Sequence, residues 1–251
     1  MTARELFDDG RLSEAIKVQK AAVGKRPEDA SARLLLCELL AFAGRFPEVS
    51  EELDRFPNPD AAFREYLDGW REIVRADAAR HAGGPAAYLM APPQHVELLA
   101  AAIRRPDTDL ADQAMEAMPV LEGHIDGRAF EGCRDSDDSL VGELEFFADG
   151  ESIRVPWDHL RKMRLAPVEC LRDQLYRPAT LTLTDGRAVN GFVPTNYVMG
   201  TDDPEDLRCG LGTDYGEVAH GMRGIGAKML LLGEEELTLT EFTQLELRPA
   251  R

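Results

Sequence analysis

Along the first half of the chain, apolar residues return every three or four positions, the spacing that lines one face of a helix. Ala15, Val18 and Ala22, with Ile16 and Val23 beside them, form one such stripe, and Leu35, Leu36, Leu39 and Leu40 form a second. Pro57, Asn58 and Pro59 break the pattern, since proline bars the preceding residue from helical geometry. Asp60 is a good N-cap for the next helix, which carries Phe63, Tyr66, Leu67, Trp70, Ile73 and Val74 and ends near Gly83-Gly84. Pro92-Pro93 precedes a helix with Val96, Leu99, Ala100 and Ile103 on one face. Pro106-Asp107 separates it from a last helix bearing Leu110, Ala114, Met115 and Met118. The spacing therefore predicts helices only up to about residue 120, with all β-structure after it.

Two copies of one pattern, 34 residues apart, organise the first of these helices. Gly10 recurs as Gly44, Arg11 as Arg45, Leu12 as Phe46, Glu14 as Glu48 and Leu6 as Leu40. That offset is the length of a tetratricopeptide repeat, a helix-turn-helix unit. The glycine falls where the first helix of each unit must end in a sharp turn, which a residue without Cβ makes at least cost. The second copy weakens after Ser50 and nothing clean recurs a third time, so two repeats followed by other helices are expected. An ordinary amphipathic hairpin is the alternative.

Beyond Pro119 the period shortens to two. Leu144 and Phe146 alternate with Glu143 and Glu145, Asp149-Gly150 offers a tight turn, and Ile153 and Val155 alternate on the far side. Leu181 and Leu183, a turn at Asp185-Gly186, and Val189 leading to Phe192 repeat the hairpin logic. Gly123, Asp126-Gly127 and Gly132 read as loops, Trp157 to Met163 as one or two helical turns, and Val168 to Tyr176 as a helix. Gly200 to Gly212 reads as an exposed loop, with closing strands at Lys228 to Leu232 and Phe242 to Leu247. The fold class expected is α+β: an all-helical tetratricopeptide-like domain over residues 1–120, then a β-rich α+β domain over 121–251.

With 46 acidic against 29 basic residues the net charge is -17, which opposes approach to nucleic acid or an anionic membrane. Cys37, Cys133, Cys170 and Cys209 show no metal-knuckle spacing, and the charged N-terminus has no apolar core of a secretory signal. No apolar run approaches a membrane span, so a cytoplasmic protein is expected.

Candidate chemistry is sparse. Asp135, Asp137 and Asp138, with Ser136 and Ser139, are the one dense carboxylate cluster in a loop context, the donor set a Mg²⁺ or Ca²⁺ ion takes. They define one functional alternative, a metal-dependent hydrolase. Against it, the EF-hand spacing is missing, and Asp and Ser in loops commonly cap their own backbone. His81, His95, His124, His159 and His220 are dispersed and form no HExxH pair. GMRGIG (221–226) precedes a strand, the reverse of a phosphate cradle's order, and reads as a turn or bulge. No catalytic residue, metal ligand or cofactor is assigned. Asp214-Tyr215 reads as a hydrogen-bonded corner, and Arg172-Asp173 as a pair fixing a helix against the hairpin.

The ordered set VPWDHL (155–160), LRDQLYRPATL (171–181), GTDYGE (212–217) and RGIGAKMLL (223–231), behind the repeat and DSDDSL, resembles the ImpE/TagJ family, also called SciE-type. The family consists of accessory proteins of bacterial type VI secretion; it often has Trp where this chain has Tyr176 and Tyr215. The resemblance implies a non-enzymatic protein that binds the N-terminal helix of the small contractile-sheath subunit. It also implies an indirect link to the ATPase that recycles the sheath. It assigns no binding residues. From the residues themselves, Arg11, Arg45 and Phe46 are the partner-binding candidates, because they recur at the inter-helix turns; a core position for Phe46 is the competing expectation.

Overall fold

The computed structural model describes residues 1–57, 60–84, 87–105, 107–219 and 221–248. The first repeat comprises α1 (Ala3–Asp8) and α2 (Leu12–Lys25), and the second α3 (Ala30–Phe42) and α4 (Phe46–Asp54). The long helix α5 (Ala61–His81) follows, capped by Asp60, whose carboxylate accepts the Phe63 N–H at 2.8 Å. The glycines do what the repeat requires. Gly10 and Gly44 have φ of 75° and 66°. The next amide reaches back to a helix carbonyl in both units, Arg11 to Leu6 and Arg45 to Leu40, each at 2.9 Å. The recurring leucine is thus the C-terminal acceptor of each first helix. Asn58, Pro59, Pro106 and His220 lie outside the described residues.

One prediction fails between α5 and the next helix. Ala87–Tyr88 forms a short strand, β1, that pairs in parallel with β6 (Glu151–Pro156), Ala87 opposite Ile153. The region before residue 120 is therefore not purely helical. A two-residue strand has no periodicity to read, and its pairing is set by a partner some 65 residues away. Helices α6 (Gln94–Arg104) and α7 (Thr108–Ala117) then form a hairpin around Leu99, Ala114 and Val141.

The remaining strands are β2 (Glu122–Ile125), β3 (Arg128–Glu131), β4 (Cys133–Asp135), β5 (Glu143–Ala148), β7 (Leu160–Leu165), β8 (Tyr176–Leu183), β9 (Ala188–Pro194), β10 (Thr213–Val218), β11 (Gly221–Gly226), β12 (Met229–Leu232), β13 (Glu235–Thr238) and β14 (Gln244–Arg248). The main sheet runs β1-β6-β5-β9-β8-β7-β14-β2-β3, with a second sheet β13-β12-β4 and a separate hairpin β10-β11. Asp149-Gly150 and Asp185-Gly186 turn β5 into β6 and β8 into β9, as their sequences predict.

Other readings need correction. Gly123 lies inside β2 and Asp126-Gly127 turns β2 into β3, so this stretch is a hairpin rather than loops. A Cβ on Gly123 would sit 2.1 Å from the Glu246 carbonyl, so a close strand crossing requires that glycine. Trp157–His159 is a single 3-10 turn, after which the chain extends as β7 instead of staying helical. GMRGIG is strand β11, not a turn, and a short helix α9 (Glu205–Arg208) interrupts the acidic loop. The predicted helix before Tyr176 is present as α8 (Leu171–Leu175).

The sheet separates two cores. Phe146, Leu144, Val155, Leu181 and Leu245 belong to the one between the sheet and its companion sheet. Phe147 and Tyr176 point to the opposite face and join a core built mainly by α1 to α5, with Leu36, Leu40, Trp70 and Ile73. Adjacent phenylalanines of one strand thus serve different layers, as the pleat dictates. This second core runs across residue 120 and binds the repeats to the sheet.

Candidate helix-binding surfaces

The sequence candidates sit at the repeat turns. Arg11 and Arg45 are N-cap residues of α2 and α4, with side chains 45% and 41% exposed. Each pairs with the glutamate three residues on: Arg11 with Glu14 at 2.7 Å and Arg45 with Glu48. The recurrence of Arg and Glu at a common offset is thus an i,i+3 ion pair in the first turn of each second helix. Phe46 is only 7% exposed and meets His81 edge-on, ring centroids 5.0 Å apart. It is a core residue, the competing expectation for this position.

Repeat proteins hold peptides on the face made by the first helices of their units. Here the chain's own C-terminal part covers that face. The Arg172 amide donates to Glu38 of α3 at 3.2 Å, and its guanidinium lies 5.3 Å from the Tyr66 ring of α5. Trp70 meets Tyr176 edge-on at 6.4 Å. Tyr176 donates to Asp77 at 2.6 Å. At the repeat turns, α9 closes the same side: Glu205 accepts from Ser13, and Arg208 donates to the Ala43 carbonyl at 3.1 Å.

Among the described residues, two open grooves flank the helices. One, about 490 Å³, lies over α2 and α4 and is lined by Lys20, Val23, Arg33, Leu36, Glu51 and Arg55, among others. Its charges are largely neutralised within the chain, Lys20 by Glu48 at 2.6 Å and Arg33 and Arg55 both by Glu52. The other, about 580 Å³, is larger. Its wall is Glu72 and Ile73 of α5, its end the Asp149-Gly150 turn, and its floor Phe147, Phe192, Pro178, Thr180 and Asn190, rimmed by Arg164. Arg75 pins that turn to α5 by donating to the Asp149 and Gly150 carbonyls at 3.0 and 3.1 Å. The floor exists because Gly191 lets β9 approach β5: a Cβ there would lie 2.1 Å from the Phe147 carbonyl. No sequence motif marks this groove. The one available signal was the polar phase of β8 and β9, where Thr180, Thr182 and Asn190 face away from the buried Leu181 and Val193.

The acidic loop is folded inward. Asp135 accepts from the Tyr197 hydroxyl at 2.6 Å and the Asp137 amide at 2.9 Å. Asp137 accepts the amides of Ser139 and Gly224 at 2.7 and 3.0 Å, and Asp138 that of Met222 at 2.7 Å. The three carboxylates therefore clasp β11 and their own turn, each satisfied by N–H or O–H donors. Among the described residues no group of His, Cys, Asp and Glu is placed to hold a metal ion. Burial pushes the Asp135 carboxyl up to about 6.

Behind the groove lies a buried ionic cluster. Glu145 of β5 meets Arg80 of α5 at 3.0 Å and Lys228, which is 1% exposed; Arg80 also meets Asp77 at 3.0 Å. Burial alone would raise the Glu145 carboxyl, but the charges of Arg80, Lys228 and Arg154 outweigh it and hold it well below the ordinary range. Sequence gives no hint of this cluster, whose members come from three distant segments.

Comparison with known proteins agrees with this architecture. Residues 6–68 match the tetratricopeptide repeat model, and residues 127–246 match the model described as ImpE protein. The chain is 26% identical to the type VI secretion system accessory component TagJ of Pseudomonas aeruginosa, over 99% of this chain and 92% of that protein. The crystal structure of protein VPA1032 from Vibrio parahaemolyticus has the same fold, with a TM-score of 0.87 at 23% identity, covering 98% of this chain and 97% of that one. No described helix is long and apolar enough to cross a membrane. The chain thus carries an ImpE-matching region behind tetratricopeptide-like helices and is similar to TagJ over nearly its whole length.

Proposed function

We propose that the chain is a non-enzymatic accessory component of a type VI secretion system that holds the N-terminal helix of the small contractile-sheath subunit. The observation that carries the role is the similarity to TagJ across 99% of the chain. Helix binding is supported by the tetratricopeptide-like helices and by two open grooves beside them. The enclosed carboxylates of Asp135 and Asp137, each already bonded to protein donors, favour a structural loop over a hydrolytic centre. In this reading the protein works in the cytoplasm, and any link to the sheath-recycling ATPase runs through the sheath subunit. The helical part, up to about residue 120, and the β-rich remainder act as one body, because they share a core.

The test is fluorescence anisotropy of a labelled peptide comprising that N-terminal helix, titrated with the full chain. Saturable binding in the micromolar range, near -8 kcal/mol, is expected. No anisotropy change up to about 100 μM contradicts the reading. A melting temperature raised by Mg²⁺ or Ca²⁺, with the rise abolished by Asp137→Ala, favours the hydrolase instead.

A further inference from the structure

We infer that the α6–α7 hairpin is a pH-sensitive flap, docked on the Trp157–His159 turn while His95 is neutral and released when His95 takes up a proton. This device lies apart from both grooves and does not depend on which partner the chain binds.

The hairpin is lightly held. No residue of α6 or α7 belongs to either large core; Leu99 and Ala114 pack with Val141 in a small core of their own. Helix α7 buries Ala114 alone and leaves Met115 45% exposed. The first turn of α6 rests on the chain leading into β5. There a Cβ on Gly142 would lie 3.4 Å from the His95 ring and 3.8 Å from Val96, so glycine lets the imidazole sit close against the backbone. The Gly142 carbonyl in turn accepts the Trp157 amide at 3.0 Å, which sets the Trp157–His159 turn beside His95. An element with a small separate core and one close polar contact belongs to the low end of local stability.

The turn beneath it is short of partners. Trp157 Nε1, Asp158 Oδ1 and His159 Nδ1 are enclosed with no hydrogen-bond partner among the described residues, and so is Glu143 Oε1, on the residue opposite Pro156. Buried polar atoms are normally bonded, so enclosing three on consecutive residues weighs against docking, and opening returns them to water. The charged groups that act on His95 come from this same turn: Asp158, which favours a protonated ring, and His159, which opposes it. The segment before β5 offers only Gly142, α7 adds no charge that acts on the ring, and Glu97 of α6 itself is exposed. Burial outweighs Asp158 and holds the imidazole below its ordinary 6.5. The docked hairpin therefore prefers the neutral ring, while the released one lets it protonate at the ordinary value. Docking is at full strength above pH 6.5 and weakens as pH falls below it.

Hydrogen–deuterium exchange of the full chain at about pH 7.5 and about pH 5.5, corrected for the intrinsic pH dependence of exchange, reads the flap directly. Peptides from α6 and α7 should exchange at least about threefold faster at the lower pH, with α5, β7 and β8 unchanged. His95→Gln, neutral at both values, should remove that response. Asp158→Asn deletes the group that favours the charged ring and should enlarge it. If His95→Gln fails to fold by circular dichroism, Asp158→Asn against wild type carries the test. Equal exchange of α6 and α7 at the two pH values in wild type overturns the inference. So does an acid response that either folded variant leaves unchanged, or one that spreads evenly over the whole chain.

Discussion

The Tyr176 hydroxyl donates to the Asp77 carboxylate across 2.6 Å, joining the first residue of β8 to the C-terminal part of the long helix α5 in a fully buried setting. Asp77 also holds Arg80, which holds Glu145 of β5. Helices and sheet are therefore fastened by one continuous chain of polar contacts lying within an apolar core.

Tyr176→Phe keeps the ring and removes the donor. It should cost about 1–3 kcal/mol, because Asp77 loses one partner but keeps Arg80. Urea unfolding followed by both tryptophan fluorescence and far-ultraviolet circular dichroism should show one shared transition for wild type and variant. Two separated transitions would mean that the helical part and the β-rich part fold independently.

Glu145→Gln leaves Lys228 buried without its countercharge and Arg80 with Asp77 alone, and should destabilise by about 3–5 kcal/mol. The sign with pH follows from the lowered carboxyl. Glu145 stabilises the fold above its unfolded value near 4.5, and that contribution is lost as pH falls toward its folded value. The gap between wild type and variant should therefore narrow in acid. A constant gap from pH 3 to pH 7 would argue against the ionic origin.

Asp135 behaves oppositely. Its folded value, about 6, lies above the unfolded 3.8, so its contribution is greatest below pH 3.8 and is lost as pH rises through 6. A shift of that size corresponds to about 3 kcal/mol. Asp135→Asn keeps an acceptor for Tyr197 and should gain stability relative to wild type between pH 4 and pH 7. Melting curves across that window check it, and parallel pH profiles for the two proteins would refute it.

The two repeat glycines separate under one substitution. Gly44→Ala meets only the strain of a left-handed backbone, since the nearest atom to its new Cβ, on His81, is 3.8 Å away. The expected loss is about 1–2 kcal/mol. Gly10→Ala adds a collision, with the Asp206 Cβ 2.8 Å away, and should cost clearly more. Equal losses would mean that α9 yields without cost.

This contrast shows how far the sequence reaches. The turn at Gly10 and Gly44, the N-cap at Asp60 and the hairpins at Asp149-Gly150 and Asp185-Gly186 are local, and local pattern predicts them. The packing of Asp206 against Gly10 is not local, nor is the pairing of Ala87 with Ile153. The Arg11 and Arg45 recurrence was visible, but its meaning, an ion pair to Glu14 and Glu48, required coordinates. Phe46 looked like a turn residue because the repeat places it there, yet α5 brings His81 over it. The groove beside α5 was illegible for the same reason. Glu72, Thr180, Asn190 and Arg164 are ordinary surface residues until α5 and four strands bring them together.

Hydrogen–deuterium exchange of the full chain, with and without saturating sheath-subunit peptide, tests the central claim most directly. Slowed exchange along one of the two grooves, in α5 with β7, β8 and β9 or in α2 with α4, is the predicted result. No protection anywhere with the peptide in excess would contradict it.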